Sequence, residues 1–158
     1  MNKKKKVIII SCLIFVLAIL VTVVLIVQHN VRARHPFCNV EFVDGGVGVF
    51  DSVPLRPLTS AEFERVNEFL QSLELRLANA EEDYYGGLFP CVQLRDADGV
   101  EYLIYCNDIR GDGVYLLYCT QYIRDGDKIV NTERDKYYID GADMQVFIAM
   151  CREMLDEE

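Results

Sequence analysis

Tryptophan is absent from this 158-residue sequence, and histidine occurs only twice, as His29 and His35. Both histidines lie close to the amino terminus, so the remaining chain contains no imidazole for general acid–base chemistry. A serine or cysteine nucleophile would need a lysine or carboxylate partner, and no local motif supplies one. The sequence therefore predicts a protein that is not an enzyme.

Metal and cofactor motifs are missing as well. No pair of cysteines has the C-x-x-C spacing of a zinc or redox site. Asp108 to Gly113 ends in the Asp-Gly of a calcium loop, but Arg110 stands where an acidic ligand belongs and the downstream glutamate is lacking. We expect neither a cofactor nor a metal site.

Positive charge is scarce after residue 30, where 12 basic residues accompany 25 acidic ones and leave a net charge of −13. Such a field repels nucleic-acid backbones, so we expect no nucleic-acid partner. It favours a cationic partner, or it simply keeps the domain in solution.

Long hydrophobic runs are also rare, because only Val7 to Val27 qualifies, with Ser11 and Thr22 as its polar members. About 20 apolar residues in a helix cross a hydrocarbon core of about 30 Å. The sequence predicts a transmembrane helix over 7–27, preceded by a cytoplasmic basic tail over 1–6.

The charges around this run predict its orientation. Lys3 to Lys6 precede it, whereas Arg32 and Arg34 follow it, which favours a cytoplasmic amino terminus in the cell membrane. The run is longer than the apolar part of a cleaved signal, so we expect an uncleaved anchor. A juxtamembrane tether over 28–36 and an extracytoplasmic domain over 37–158 should follow. This layout is similar to that of small surface proteins of Gram-positive bacteria.

A lipoprotein signal is the alternative interpretation, because Ile9-Ile10-Ser11-Cys12 resembles a lipobox. Only Val7 to Ile10 would then form the apolar part of the signal, and Leu13 to Val27 would still seek the membrane. The plain anchor fits this segment better.

Two segments carry the signals of amphipathic helices. Thr59-Ser60-Ala61-Glu62 is a capping box, and Asp140 is placed to cap a final helix. The final helix should present one apolar face, made of Met144, Ile148, Cys151 and Leu155. The residues predicted for the core are Phe63, Val66, Leu70, Val92, Leu94, Leu103, Leu117, Ile148 and Leu155.

Three turn sequences between β-prone runs predict three hairpins. They are centred on Asp44-Gly45-Gly46, on Asp96-Ala97-Asp98-Gly99 and on Asp125-Gly126-Asp127. A separate edge strand is expected at Tyr137 to Ile139. The predicted class is α+β: after the N-terminal transmembrane helix, a small antiparallel sheet of hairpins packs with two amphipathic helices.

The cysteines after the apolar run are Cys38, Cys91, Cys106, Cys119 and Cys151. The second hairpin's turn predicts Cys91 opposite Ile104, which places Cys91 and Cys106 on one face of the sheet and Cys119 on the other. Cys119 and Cys151 could then form a disulfide between sheet and helix. Free buried cysteines are the alternative.

Two predicted connections hold the candidate contact residues. Glu81-Glu82-Asp83 runs directly into two tyrosines, and the 107–113 loop contains Arg110-Gly111-Asp112, a tripeptide that integrins recognise but that is usually coincidental. Loops often carry binding, and tyrosine offers rigid, amphipathic contact area. The alternative is that the nine tyrosines simply suit strands. The predicted contact residues are Glu81, Glu82, Asp83, Tyr84, Tyr85, Arg110 and Asp112.

The predicted function is therefore a non-enzymatic, membrane-anchored module that binds a protein partner. One alternative is a membrane-tethered inhibitor or immunity protein against a basic toxin or enzyme, which the acidic charge would suit. The other is a small hydrolase whose site carries no recognisable motif.

Overall fold

The computed structural model describes residues 14–27, 34–50, 55–78, 89–108, 113 and 115–156. Helix α1 covers 14–27, and the later helices are α2 (Ser60–Ser72) and α3 (Gly141–Asp156). The strands are β1 (Phe42–Val49), β2 (Arg56–Pro57), β3 (Arg76–Leu77), β4 (Pro90–Asp96), β5 (Glu101–Asp108), β6 (Tyr115–Asp125) and β7 (Lys128–Ile139). They form one antiparallel sheet in the order β2-β1-β4-β5-β6-β7-β3. The predicted α+β class is confirmed.

Helix α1 is the described part of the predicted membrane span over 7–27, whose first residues lie outside the described ranges. Within those ranges, no helix has the length and apolarity needed to cross a bilayer. The large apolar side chains of α1 are exposed, from 48% at Ile19 to 68% at Phe15.

Helix α2 begins with the predicted capping box. The Thr59 hydroxyl accepts the amide of Glu62 at 3.4 Å, and the Glu62 carboxylate accepts the amide of Thr59 at 2.7 Å. Val66 and Leu70 are buried against the sheet. Local sequence favours a helix start here because the capping box satisfies two backbone amides, those of Thr59 and Glu62, with neighbouring side chains.

Helix α3 is capped as predicted, since the Asp140 carboxylate accepts the amide of Ala142 at 2.8 Å. Its buried face differs from the prediction and consists of Met144, Phe147, Met150, Cys151 and Met154. Ile148 and Leu155 lie beside this face and are partly buried. Both residue series have helical spacing, so only packing against the sheet selects between them.

Helices α2 and α3 cover one face of the sheet, which we call the helix-side face. Its buried side chains include Val47, Val92, Leu94, Ile104, Cys106, Leu117, Cys119 and Ile139. Leu103, predicted for the core, pairs with Gln93 and lies on the opposite face, where it is half-buried. The other predicted core residues are buried or pack against the core.

The first predicted hairpin is wrong, because β1 continues straight through Asp44-Gly45-Gly46. The glycines serve close packing rather than a turn. A Cβ at Gly45 would lie 2.5 Å from the Leu94 side chain and 2.7 Å from the carbonyl oxygen of Gln93, and one at Gly46 would lie 3.0 Å from the Arg56 carbonyl. Glycine therefore allows β1 to fit between β4 and β2.

The second hairpin exists, but its register differs by one residue: Cys91 lies opposite Tyr105, not Ile104. Asp96 closes the hairpin with Val100 and is not part of the loop, since its amide donates to the Val100 carbonyl at 3.0 Å. Its carboxylate also accepts the amides of Asp98 and Val100. The loop therefore has three residues, with Gly99 at φ 82°.

The third hairpin is confirmed, and Asp125 pairs with Lys128 across a two-residue turn in which Gly126 has φ 61°. The predicted separate strand at Tyr137 to Ile139 is the end of β7. The strand at this edge is β3 instead, which pairs with β7 at Tyr137 and Tyr138.

The segment just before β1 is bonded to the domain. The Leu75 amide donates to the Arg34 carbonyl at 2.6 Å, and His35 Nδ1 lies 2.9 Å from the Leu73 carbonyl. Phe37 is buried in the core. Residues 34–37 therefore hold the chain against the connection between α2 and β3.

Candidate functional site

The seven predicted contact residues all fall outside the described residues: Glu81, Glu82, Asp83, Tyr84, Tyr85, Arg110 and Asp112. Their involvement in binding stays a prediction. The candidate site lies on strands β6 and β7.

The outer part of the β6–β7 hairpin extends beyond the rest of the sheet. Pairing between β5 and β6 ends at Glu101 opposite Tyr122, whereas β6 and β7 stay paired to Asp125 opposite Lys128. We call this extension, residues 123–131, the arm. Three strand residues past Tyr122 give it a length of about 10 Å.

The arm exposes apolar side chains at its outer end. Ile129 is 49% exposed and Val130 is 60% exposed. The ladder shifts register here, because Ile123 pairs with Asn131 and Arg124 pairs with Ile129. This shift is a β-bulge that leaves Val130 as the extra residue, and bulges commonly redirect a side chain at a functional surface.

A row of paired charges fixes the base of the arm to the sheet. Arg124 Nε lies 3.0 Å from the Glu101 carboxylate, which also accepts Gln93 Nε2 at 3.0 Å. Beside it, Arg95 makes a two-point ion pair with Asp44, which raises the pKa of Arg95. The row therefore braces the arm's first residues against β5 and β4.

A groove of about 270 Å³ runs beside this row, between β1, β4 and the segment that holds β2. Its charged lining residues are Asp44, Arg95 and Glu101, and Leu55 and Pro57 form an apolar side. All three charges take part in the ion pairs just described. The groove thus has no described charge reserved for a small ligand.

Among the described residues, only the inner end of the β7 edge is covered. β3 pairs only with Tyr137 and Tyr138, and the Ala78 amide donates to the Lys136 carbonyl at 2.8 Å. From Lys128 to Asp135, no strand in the described part of the chain lies on the side away from β6. Side chains from Lys128 to Arg134 are exposed.

The other face of the sheet carries an aromatic cluster. The Tyr105 ring stacks on Tyr118 with centroids 4.9 Å apart and contacts Phe50 at 4.6 Å and Phe89 at 6.2 Å. Tyr118 is buried. These two tyrosines therefore pack the fold, as the alternative interpretation of the tyrosines proposed, and are not exposed contact residues.

The five described cysteines are free thiols, and their predicted placement is wrong in part. The corrected register puts Cys91 on the face opposite Cys106 and Cys119, because Cys91 pairs with Tyr105 while Ile104 pairs with Cys119. Burial raises the pKa of Cys119 and of Cys151 to about 12, with a smaller contribution from Asp135 to Cys119 and from Cys91 to Cys151. Such thiols are protonated and unreactive at neutral pH.

The described residues offer few side chains for metal binding or for imidazole catalysis. They contain no group of three or more His, Cys, Asp or Glu side chains placed to hold a metal ion. The described histidine, His35, is engaged with the Leu73 carbonyl.

Sequence reasoning did not find the arm or the open edge. One signal was available: Lys128 to Asp135 is β-prone at its start, yet it lacks the apolar residue at every second position that a half-buried strand shows.

Comparison with protein-family models, with curated proteins and with solved structures gave no match.

Proposed function

We propose that this chain is a non-enzymatic, membrane-anchored module that binds a protein partner through its arm. The observation that carries the proposal is the arm itself, a braced hairpin end that displays Ile129 and Val130 to solvent. Exposed apolar side chains on a rigid projection are typical of contact sites, because their burial in a complex is favourable and costs little ordering.

The membrane anchor is supported by the character of α1. Its apolar side chains surround the helix and are all exposed, and such a helix is stable where lipid or protein covers it on every side. Together with Lys3 to Lys6 on its amino-terminal side, this supports a cytoplasmic tail and an extracytoplasmic domain.

The partner is expected to carry a basic surface near its contact patch. The net charge of −13 after residue 30 would speed association with such a partner and slow it with an acidic one. If the bound partner is a basic toxin or enzyme, the module is an inhibitor or immunity protein. Identifying the crosslinked partner, as described next, would reveal this.

Site-specific photo-crosslinking in the full chain, in membranes of cells that express it, tests the proposal. One crosslinker replaces Val130, and the matched control replaces Val43, which is 51% exposed on β1 near the opposite edge of the sheet. We expect a defined second protein attached from position 130 and not from position 43.

Mutation then checks that the adduct reflects binding. Ile129→Ser should abolish the adduct from position 130, whereas Val43→Ser should leave it unchanged. The two variants are matched because each removes a half-exposed aliphatic side chain. Equal adducts from both positions, an adduct with another copy of the chain, or no adduct at all would overturn the proposal.

Protease accessibility tests the anchor separately. Protease added to intact cells should remove a tag at the carboxyl terminus but leave one at the amino terminus. Protection of the carboxyl-terminal tag would reverse the proposed orientation, and release of the domain into the medium would rule out a stable anchor.

A further inference from the structure

The open edge of β7 presents backbone donors and acceptors at alternate residues. In an antiparallel ladder, the amide and carbonyl of one residue point to the same side, and the side alternates along the strand. The Lys136 carbonyl points away from β6, since it accepts from Ala78. Arg134 and Thr132 are two and four residues away in an unshifted ladder, so their backbone groups point outward too.

The Thr132 amide makes a local hydrogen bond. It donates to the side-chain oxygen of Asn131 at 2.9 Å, on its own strand. The side-chain nitrogen of Asn131 in turn donates to Glu133 at 3.3 Å. Asn131 thus occupies the outward donor with a local bond that an incoming carbonyl would replace.

The charges along the edge select a type of strand. Asn131, Glu133 and Asp135 lie on the helix-side face of β7, because Asp135 pairs with Cys119 and the side alternates from there. A strand laid against the edge would place alternate side chains beside Glu133 and Asp135. Opposite charges at neighbouring cross-strand positions are favourable, so alternate basic residues fit there.

A second copy of this chain does not fit the edge. On the inner side of the bulge, from residue 131 to residue 136, only the even-numbered residues face outward, so a twofold antiparallel pairing is centred on Thr132, Glu133 or Arg134. Centring on Glu133 places two Glu133 side chains together, and centring on Arg134 places Glu133 beside Asp135, both unfavourable. Centring on Thr132 runs into the bulge at Val130, where the ladder shifts.

We propose that β7 accepts an extended segment of the partner protein, with basic residues at every second position, as an added strand along residues 131–135, on the inner side of the bulge. This inference rests on the proposed function and specifies how the partner binds. Backbone hydrogen bonds to Thr132 and Arg134 supply the pairing, and Glu133 and Asp135 supply the preference for basic side chains.

Three synthetic peptides test the added strand with the full chain in detergent micelles. The first alternates lysine and threonine, the second alternates glutamate and threonine, and the third is the lysine peptide with alternate backbone amides methylated. We expect the first to bind about tenfold more tightly than either other peptide. Equal binding of the methylated peptide would show charge attraction without strand pairing and overturn the proposal.

Amide hydrogen exchange locates the contact. The Arg134 amide should exchange readily in the chain alone and become protected by the lysine peptide. The Thr132 amide, which donates to Asn131 in the chain alone, should be protected further by the peptide. Protection of the Arg134 amide before any peptide is added would mean that the edge is already covered, which would also overturn the proposal.

Variants sharpen the assignment. Glu133→Lys should reduce or reverse the preference for the lysine peptide, whereas Glu64→Lys, an equal charge change at an exposed position of α2, should not. Asn131→Ala should tighten binding, because it removes the local acceptor of the Thr132 amide. No change in either variant would argue against the edge.

The two proposals fail separately. If Ile129→Ser abolishes the cellular adduct but no peptide pairs with β7, the protein-binding function stands and strand addition is wrong. In that case the charges of the edge serve only to prevent pairing with other strands.

Discussion

The inner and outer halves of the β6–β7 hairpin share one ladder but differ in what surrounds them. At the inner end, Leu116, Leu117 and Ile139 are buried in the fold. At the outer end, side chains from Arg124 to Arg134 are exposed. Burial of apolar surface is the main source of stability, so the inner half should hold the fold and the outer half should add little to it.

This difference would leave the arm available for the binding that we propose. A segment that contributes little to the free energy of folding can carry side chains that suit binding without destabilising the domain. Its shape still has to be maintained, and the turn at Gly126 and the ion pair of Arg124 with Glu101 do so locally. The following changes test the comparison, from the largest expected effect to the smallest.

Phe147→Ala tests the buried side of the comparison. Phe147 is fully buried on α3, and loss of its ring leaves a cavity under the sheet. We expect the free energy of unfolding to fall by about 3–5 kcal/mol. Urea unfolding of residues 34–158, followed by circular dichroism, measures it. A loss below about 1 kcal/mol would mean that the helices contribute far less than their burial indicates.

Gly45→Ala tests the packing of β1 against β4. The added methyl group would meet the Leu94 side chain and the Gln93 carbonyl, and the backbone carbonyl has little freedom to move away. We expect a loss of about 1–3 kcal/mol in the same unfolding measurement. Gly99→Asn is the control, because nothing lies near a Cβ at Gly99 and asparagine tolerates its positive φ.

Glu62→Gln tests a polar link between elements. The Glu62 carboxylate binds Arg56 at 2.6 Å, and Arg56 also donates to the Met154 carbonyl of α3 at 2.5 Å. We expect a loss of about 1–2 kcal/mol at pH 7. Glu153→Gln is the control, because its ion pair with Arg65 is half-exposed and should matter by less than about 1 kcal/mol.

The same carboxyl group predicts a pH dependence. Arg56 is the main cause that lowers the pKa of Glu62 from 4.5 to about 2. A lowered folded-state pKa gives stability that is present above pH 4.5 and is lost as the pH falls towards 2. The stability difference between the native chain and Glu62→Gln should therefore shrink over this range. A constant difference would contradict the lowered pKa.

Paired Ile129→Ser and Val130→Ser substitutions test the exposed side. Both side chains are about half-exposed, so we expect the free energy of unfolding to change by less than about 0.5 kcal/mol. Capture of the partner should nevertheless be lost. A large loss of stability would show that the arm belongs to the folding core, and the comparison of the two halves would then be wrong.

The features predicted from the sequence are those that depend on near neighbours. The capping box of Thr59 and Glu62 and the turn at Gly126 each involve residues within a few positions, and both are present. The glycines of β1 were misinterpreted because their reason is Leu94, almost fifty positions away. The predicted register of the second hairpin was wrong because Asp96 pairs with Val100 and closes the hairpin, whereas the prediction placed it in the loop.

The candidate site was less predictable for a related reason. Whether a strand has an open edge depends on the order of strands, and β3 reaches β7 from a distant part of the chain. The polar pattern of Lys128 to Asp135 indicates an exposed strand, but it does not reveal the order of strands. The acidic charge, which the sequence does show directly, is what connects the predicted binding function with the edge of β7.

The backbone hydrogen bond between Leu75 and Arg34 limits how far the arm can reach from the end of α1. Leu75 adjoins β3, which pairs with the inner end of β7, while the arm lies at the other end of that strand, about 33 Å away at 3.3 Å per residue. Six residues, 28–33, connect α1 to Arg34 and span at most about 25 Å. Whatever the tilt of the domain, the tip of the arm stays within about 60 Å of the end of α1. With α1 as the proposed anchor, a partner would be met within this distance of the membrane, so two membrane-bound molecules would meet far more often than two dissolved ones at the same copy number.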